Sequence, residues 1–315
     1  MPRPRVPALL LCACLALLAV LVALAGCRRE VVAPGDPVAA VRGMADALRK
    51  NDLVRYSRLS MPPALHARVE AHWHARRDAG PAPTQKQRED YAKWMTRLTA
   101  ADADAALFRD FNAKMKKFDR EIGSQWPLMQ ATGGLLANGL IQSNGHLSPS
   151  EKVHAKAVSA ALLGWMNPQL LSDRERARAA IKVLVATARQ LDLPTLEASR
   201  KLDMIASLEK AGQVLAGLKQ MARIYGLDAD GSLAALTARL VDANGDRATV
   251  EVSYPLLGQS VRFEMELLRR DGRWYSYDAV TGAEADLATS AARAPAAAPP
   301  ALPATAPPPL PAAAP

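Results

Sequence analysis

The sequence predicts an α+β fold, mostly helical, with a C-terminal four-stranded antiparallel meander packed on helices. Apolar residues recur at helical spacing, punctuated by helix-start signals, from Asp36 to Gly226. After Gly231 the period switches to strict alternation, which suits strands with one wet face and one packed face. Three glycine-bearing turns, at Asn244-Gly245, Gly258-Gln259 and Asp271-Gly272, divide that stretch into four strands.

The elements follow in order. Asp36-Pro37 reads as a helix cap and first helical residue, and Val38, Val41, Ala45 and Leu48 mark its apolar face until Asn51-Asp52 interrupts. A short helix from Leu53 to Leu59 comes next. Pro62-Pro63 opens a helix carrying Leu65, Val69 and Trp73, which ends at Gly80-Pro81. Thr84 with Gln87 forms a capping box for a helix bearing Tyr91, Trp94, Met95 and Leu98. Leu107, Phe111, Met115, Phe118 and Ile122 then step at helical intervals and predict one buried face.

Trp126 to Ile141 is apolar on most sides and is broken by Gly133, Gly134 and Gly139. A helix apolar all round is normally enclosed by others, so this one is expected to be central and buried. An aspartate at Leu135 or Leu136 would then cost several kcal/mol. Ser148 with Glu151 and Ser172 with Glu175 predict two further capping boxes. The second of those helices points Ala177, Ile181, Leu184, Ala188 and Leu191 inward, and Leu208 to Tyr225, stopped by Gly226, completes the helical part. The strands carry Leu236, Ala238 and Leu240; Val250, Val252 and Tyr254; Val261, Phe263, Met265 and Leu267; and Trp274 to Tyr277. From Ala291 the chain is alanine and proline, with nine prolines in 25 residues, and is expected to be an extended spacer.

The first residues carry an address. Arg3 and Arg5 precede an uncharged apolar run that closes on Leu24-Ala25-Gly26-Cys27. This pattern resembles the lipobox of bacterial lipoproteins. The resemblance implies that residues 1–26 are removed, that Cys27 carries lipid, and that residues 28–35 form a tether. It implies no cofactor. With Arg28 next to the lipidated cysteine, analogy with lipoprotein sorting points to the periplasmic face of the outer membrane. An uncleaved membrane helix from Ala8 to Ala25 is the alternative.

Composition narrows the chemistry. The chain has 315 residues and three cysteines; Cys12 and Cys14 would leave with the signal, so the processed chain has no free thiol. That excludes disulfides, thiolate metal sites and a cysteine nucleophile. Without Arg3 and Arg5 the chain keeps 38 basic residues against 31 acids, formally +7. These charges are dispersed along helical segments with acids between them, which is unlike a nucleic-acid groove. Nucleic acid is therefore not an expected partner; the membrane, through Cys27, and an envelope protein are.

Asp271-Gly272-Arg273-Trp274-Tyr275 resembles the final hairpin of NTF2-like domains, and Asp36 to Ser60 resembles their opening helices. The resemblance implies one helix-plus-sheet domain formed by 36–61 and 232–285, a helical insertion over 62–231, and a Pro/Ala tail over 286–315. It transfers no active-site residues, because one fold serves many functions.

Three patterns have spacings that suggest chemistry. His66, Glu70 and His74 share a helix stripe, but His66 and His74 are about 12 Å apart along the axis, too far to share one ion, and the stripe reads as a solvated face. Gly134 to Gly139 has the spacing of a phosphate loop, yet Leu140 and Ile141 occupy the positions that need lysine and a hydroxyl. Asp242, Asn244 and Asp246 have calcium-loop spacing, with Arg247 and Ser253 where glycine and a bidentate acid belong. No catalytic signature and no metal site is expected. The sequence thus points to a non-catalytic binding or scaffolding module, with an immunity-type inhibitor of a periplasmic toxin and an envelope enzyme without a recognisable motif as alternatives.

Overall fold

The computed structural model describes residues 31–293 apart from 79, 122–124 and 146. Cys27 with the whole signal, and the Pro/Ala tail beyond Arg293, lie outside the described residues. Helix α1 (Pro37–Arg49) starts where the Asp36 carboxylate accepts the Ala39 N–H at 2.7 Å. Asn51, at φ 59°, turns the chain into α2 (Leu53–Ser60), followed by α3 (Pro63–Ala71) and α4 (Trp73–Asp78). The single helix expected up to Gly80 is therefore two, separated at His72.

Then come α5 (Gln85–Thr99), α6 (Ala103–Glu121), α7 (Trp126–Ser143), α8 (Pro149–Trp165), α9 (Pro168–Ser172), α10 (Arg174–Leu191), α11 (Leu196–Lys201), α12 (Met204–Ile224) and α13 (Ala229–Ala234). The capping boxes at Thr84/Gln87 and Ser148/Glu151 are both formed. The third is not: Asp173 rather than Ser172 caps α10, accepting the N–H groups of Glu175 and Arg176 at 3.0 Å each. A carboxylate one residue later takes two orphan donors at once, which leaves Ser172 no role as cap. Helices α5, α6 and α12 pack around α10, whose buried positions are Ala177, Ala180, Val183, Val185 and Ala188. Leu184, expected inward, is instead at the surface.

The sheet is a meander in the order β1 (Thr237–Asn244), β2 (Arg247–Leu256), β3 (Gln259–Arg270), β4 (Arg273–Ser276). Asn244 pairs with Arg247, so the first turn is Gly245-Asp246, one residue beyond the expected Asn244-Gly245. Its positive φ of 58° falls at Gly245 alone, the arrangement that requires glycine first. Leu256 pairs with Gln259, so the second turn is Leu257-Gly258, again one residue from expectation. The third is Asp271-Gly272 as read.

β4 runs directly into a helix that the sequence reading did not foresee, α14 (Tyr277–Arg293). It buries Val280 and Leu287 in the main core, so residues 286–293 belong to the fold and not to the tail. Leu267 and Leu268 are neighbours on β3 with side chains on opposite faces, and both are buried. Both faces of the sheet are therefore covered at this end, where α1 and α14 contact it. The opposite edge is open: β1 is exposed along nearly its whole length and bulges between Leu240 and Asp242.

The expected burial of Trp126 to Ile141 is overturned. No residue of α7 is buried, and Leu128, Leu135, Leu136 and Leu140 are 65–75% exposed. The glycine side of the helix faces α8. Gly133 and Gly134 lie against Leu163 of α8, and Gln130 donates its side-chain N–H to the Leu163 carbonyl. The side that meets α8 carries these small residues, where an added Cβ would stand an ordinary 3.7–3.8 Å from Leu163, and the leucines are left outside.

Candidate functional site

A cavity of about 560 Å³ lies between α1, α8, α12, α13 and the sheet. Its position follows from two local patterns. On α8 the capping box at Ser148 sets the helix phase, placing Glu151, His154, Val158 and Leu162 along one face at spacings of three and four. On the sheet, Val252 pairs with Phe263 and Tyr254 with Val261, so alternate residues of β2 and β3 present one apolar face. The helix face and the sheet face stand opposite one another. Ser150 ties them by donating to the Glu264 backbone carbonyl.

The walls are mostly apolar, with polar groups along α8, on the facing strands and at the start of α14. His154 Nε2 shares a hydrogen bond of 2.7 Å with Tyr254 Oη, while the imidazole stacks on Phe263 at 4.0 Å between centroids. Burial pushes His154 below the usual histidine range, against the opposing pull of Glu151, and burial raises the Tyr254 phenol. Both are neutral at neutral pH. Glu151 accepts the Ser148 N–H at 2.8 Å through its carboxylate. Across from it, burial raises Asp278 above the ordinary carboxylate value, the charges of Glu151 and Glu266 add to the rise, and a hydrogen bond from Ser148 opposes it.

That rise has a sign for stability. A carboxyl with a raised folded value binds its proton more tightly folded than unfolded, so it costs stability as pH climbs from 3.8 through the raised value. Asp278→Asn is therefore expected to melt above the wild type at neutral pH. The difference should vanish as pH falls below 3.8. Melting curves across this range check it; an advantage that persists in acid would show that the carboxylate is not under strain.

The cavity lining includes one cation, Lys219, which is buried. Its Nζ donates to Leu48 O at 2.5 Å, Arg49 O at 3.2 Å and Asp230 Oδ1 at 2.8 Å. An ammonium has three N–H donors, and all three are used. Lys219 is the only lysine or arginine among the described residues that line the cavity, so no cation there is free to meet an anionic ligand.

The residues singled out by sequence lie elsewhere. His66 is buried rather than solvated, beside the buried Leu65, with Nδ1 3.8 Å from Glu70 Oε2. His74 instead bonds Arg77 Nη2 at 2.5 Å. Among the described residues no group of three or more His, Cys, Asp and Glu stands where it could hold a metal ion. Asp242, Asn244 and Asp246 sit at the exposed end of the β1–β2 hairpin. Sequence reasoning missed His154, Tyr254 and Asp278; only the helical phase from Ser148, which puts Glu151 and His154 on one side, hinted at them. Comparison with known protein families, curated proteins and solved structures finds no match to this chain.

Proposed function

We propose that the chain is a lipid-anchored, non-catalytic module of the bacterial envelope that holds a small amphipathic molecule in the cavity between α8 and the sheet. The supporting observation is the cavity itself: a mostly apolar chamber within the size range of small-molecule sites, about 300–1,000 Å³, with a few polar groups in its walls. Those groups, two carboxylates and a neutral His154–Tyr254 pair, are rich in acceptors. With Lys219 saturated, the favoured ligand has an apolar body and a neutral or cationic head that donates hydrogen bonds, such as a long-chain alcohol or amine. A fatty-acid carboxylate would meet Glu151 and Asp278 without a counter-charge. The anchor half of the reading rests on the lipobox at Cys27, with attachment at the periplasmic face of the outer membrane. In this reading 36–61 and 232–285 form the NTF2-like unit, and 62–231 is its insertion.

Photoaffinity labelling tests the binding half. A diazirine-bearing alkyl amine should label peptides of α8 and of β2–β3 saturably, and the matching carboxylate should compete poorly. Val158→Trp fills the chamber from α8, at an overpacking cost of about 1–3 kcal/mol, and should remove the labelling while the chain still melts cooperatively. Labelling that does not saturate, or that survives Val158→Trp, would sink the cavity reading. Labelled palmitate should be incorporated in the wild type and lost in Cys27→Ser; its absence from the wild type would remove the anchor.

An envelope enzyme is the second reading, favoured by the 2.7 Å contact of His154 with Tyr254 beside two carboxylates. Against it, Glu151 is engaged at Ser148 as a cap. Turnover would appear as a chemically altered ligand recovered with the wild type and not with His154→Gln.

A further inference from the structure

We propose that α7 lies in the plane of a lipid bilayer, its leucine face at the boundary of headgroups and acyl chains and its glycine face on α8. The inference rests on the lipid-anchor reading of Cys27, and its test separates the two.

Four observations carry it. The helix is inside out for water: Gly133 and Gly134 meet Leu163, whereas Leu128, Leu135, Leu136 and Leu140 face outward. Its residues 126–143 include no charged side chain, and no helix among the described residues is long and apolar enough to cross a membrane, so the apolar face would rest in the interface. The flanking sequence is net basic: Lys114, Lys116, Lys117 and Arg120 precede the helix against two acids, and Lys152 and Lys156 follow it against one. That balance suits anionic headgroups.

The fourth observation says why a bilayer is within reach. Ala33 O accepts from Arg273 Nη1 at 2.8 Å and Pro34 O accepts from Trp274 N at 3.1 Å, so the tether meets the fold at the start of β4. From Cys27 to Ala33 the chain spans at most about 20 Å. The other end of β4 lies about 10 Å away. Next to β4, the β3 carbonyl of Glu264 accepts from Ser150 Oγ, seven residues beyond the end of α7. The tether and the chain that follows α7 thus both meet the β3–β4 side of the sheet.

The absence of cysteine after Cys27 makes the test direct. Leu136→Cys on α7 and Glu209→Cys on α12, both exposed positions, can each be labelled with an environment-sensitive fluorophore in the full-length chain. The labelled chains are reconstituted in phosphatidylethanolamine–phosphatidylglycerol vesicles with and without doxyl-labelled lipid, and palmitate content is measured on the same samples. The expected result is blue-shifted emission at 136 that doxyl lipid quenches, with neither effect at 209. Adding Leu135→Asp should remove the quenching at 136 without moving the melting temperature. Emission at 136 equal to that at 209 in palmitoylated chain would overturn the proposal. So would a blue shift without doxyl quenching, together with crosslinking of 136 to a second copy or to another protein. Quenching in the 136-labelled chain well above that in the 209-labelled chain, both lacking palmitate, would support the proposal and sink the anchor reading alone.

Discussion

Replacing Lys219 by methionine should destabilise the protein by about 3 kcal/mol, because a side chain of similar length would leave its acceptors without the ammonium's hydrogen bonds. The wild-type side chain is 8% exposed and donates to Leu48 O and Arg49 O at the C-terminal end of α1, together with Asp230. Asp230 is about a third exposed and keeps Arg223 at 2.9 Å, so much of its loss is recovered. Leu48 O keeps the Asn51 N–H at 3.1 Å, so the loss falls mainly on Arg49 O. Both carbonyls lie where α12 crosses the α1–α2 connection, an approach so close that a methyl group at Gly212 would run into the Asn51 carbonyl. Urea unfolding followed by far-ultraviolet circular dichroism measures the effect. A change under about 0.5 kcal/mol, the level of an ordinary surface substitution, would mean that the three hydrogen bonds do not hold the helical insertion to α1.

Leu267→Ala should cost about 2–5 kcal/mol, the range for truncating a buried leucine when its surroundings cannot collapse. Leu267 is 1% exposed and sits across from Ala248 on one strand and Ser276 on the other, both small, so neither neighbour can fill the space. Leu240→Ala on the open edge strand, 42% exposed in the wild type, serves as the reference and should change stability by no more than about 0.5 kcal/mol. Equal effects at the two positions would contradict the placement of the core between the sheet and its covering helices.

The local signals in the chain were read well because they depend on neighbours in sequence. Caps at Asp36, Thr84 and Ser148, the alternation on β2 and β3 and the turn at Asp271-Gly272 each follow from residues a few positions apart. The errors of one residue, at Ser172 and in two hairpin turns, arose where adjacent residues both carry the relevant chemistry and pairing register decides between them. α14 went unread because its alanine-rich stretch has a weak apolar period, and its helical state depends on the core that receives Val280 and Leu287.

By itself, the sequence determined the α+β class, the order of most helices and the four strands, since periodicity, caps and turn residues act over short distances. The lipobox reading at Cys27 is of the same local kind. Only the tertiary structure decided which apolar surface is covered. Apolar composition made α7 look like the centre of the helical part, yet only its glycine side meets α8, at Leu163, and its leucines face outward. The cavity, too, was invisible beforehand: His154 and Tyr254 are 100 residues apart, and Asp278 comes from a helix beyond the last strand. Burial and convergence are properties of packing, and a one-dimensional pattern shows which residues can be buried without showing what they will be buried against.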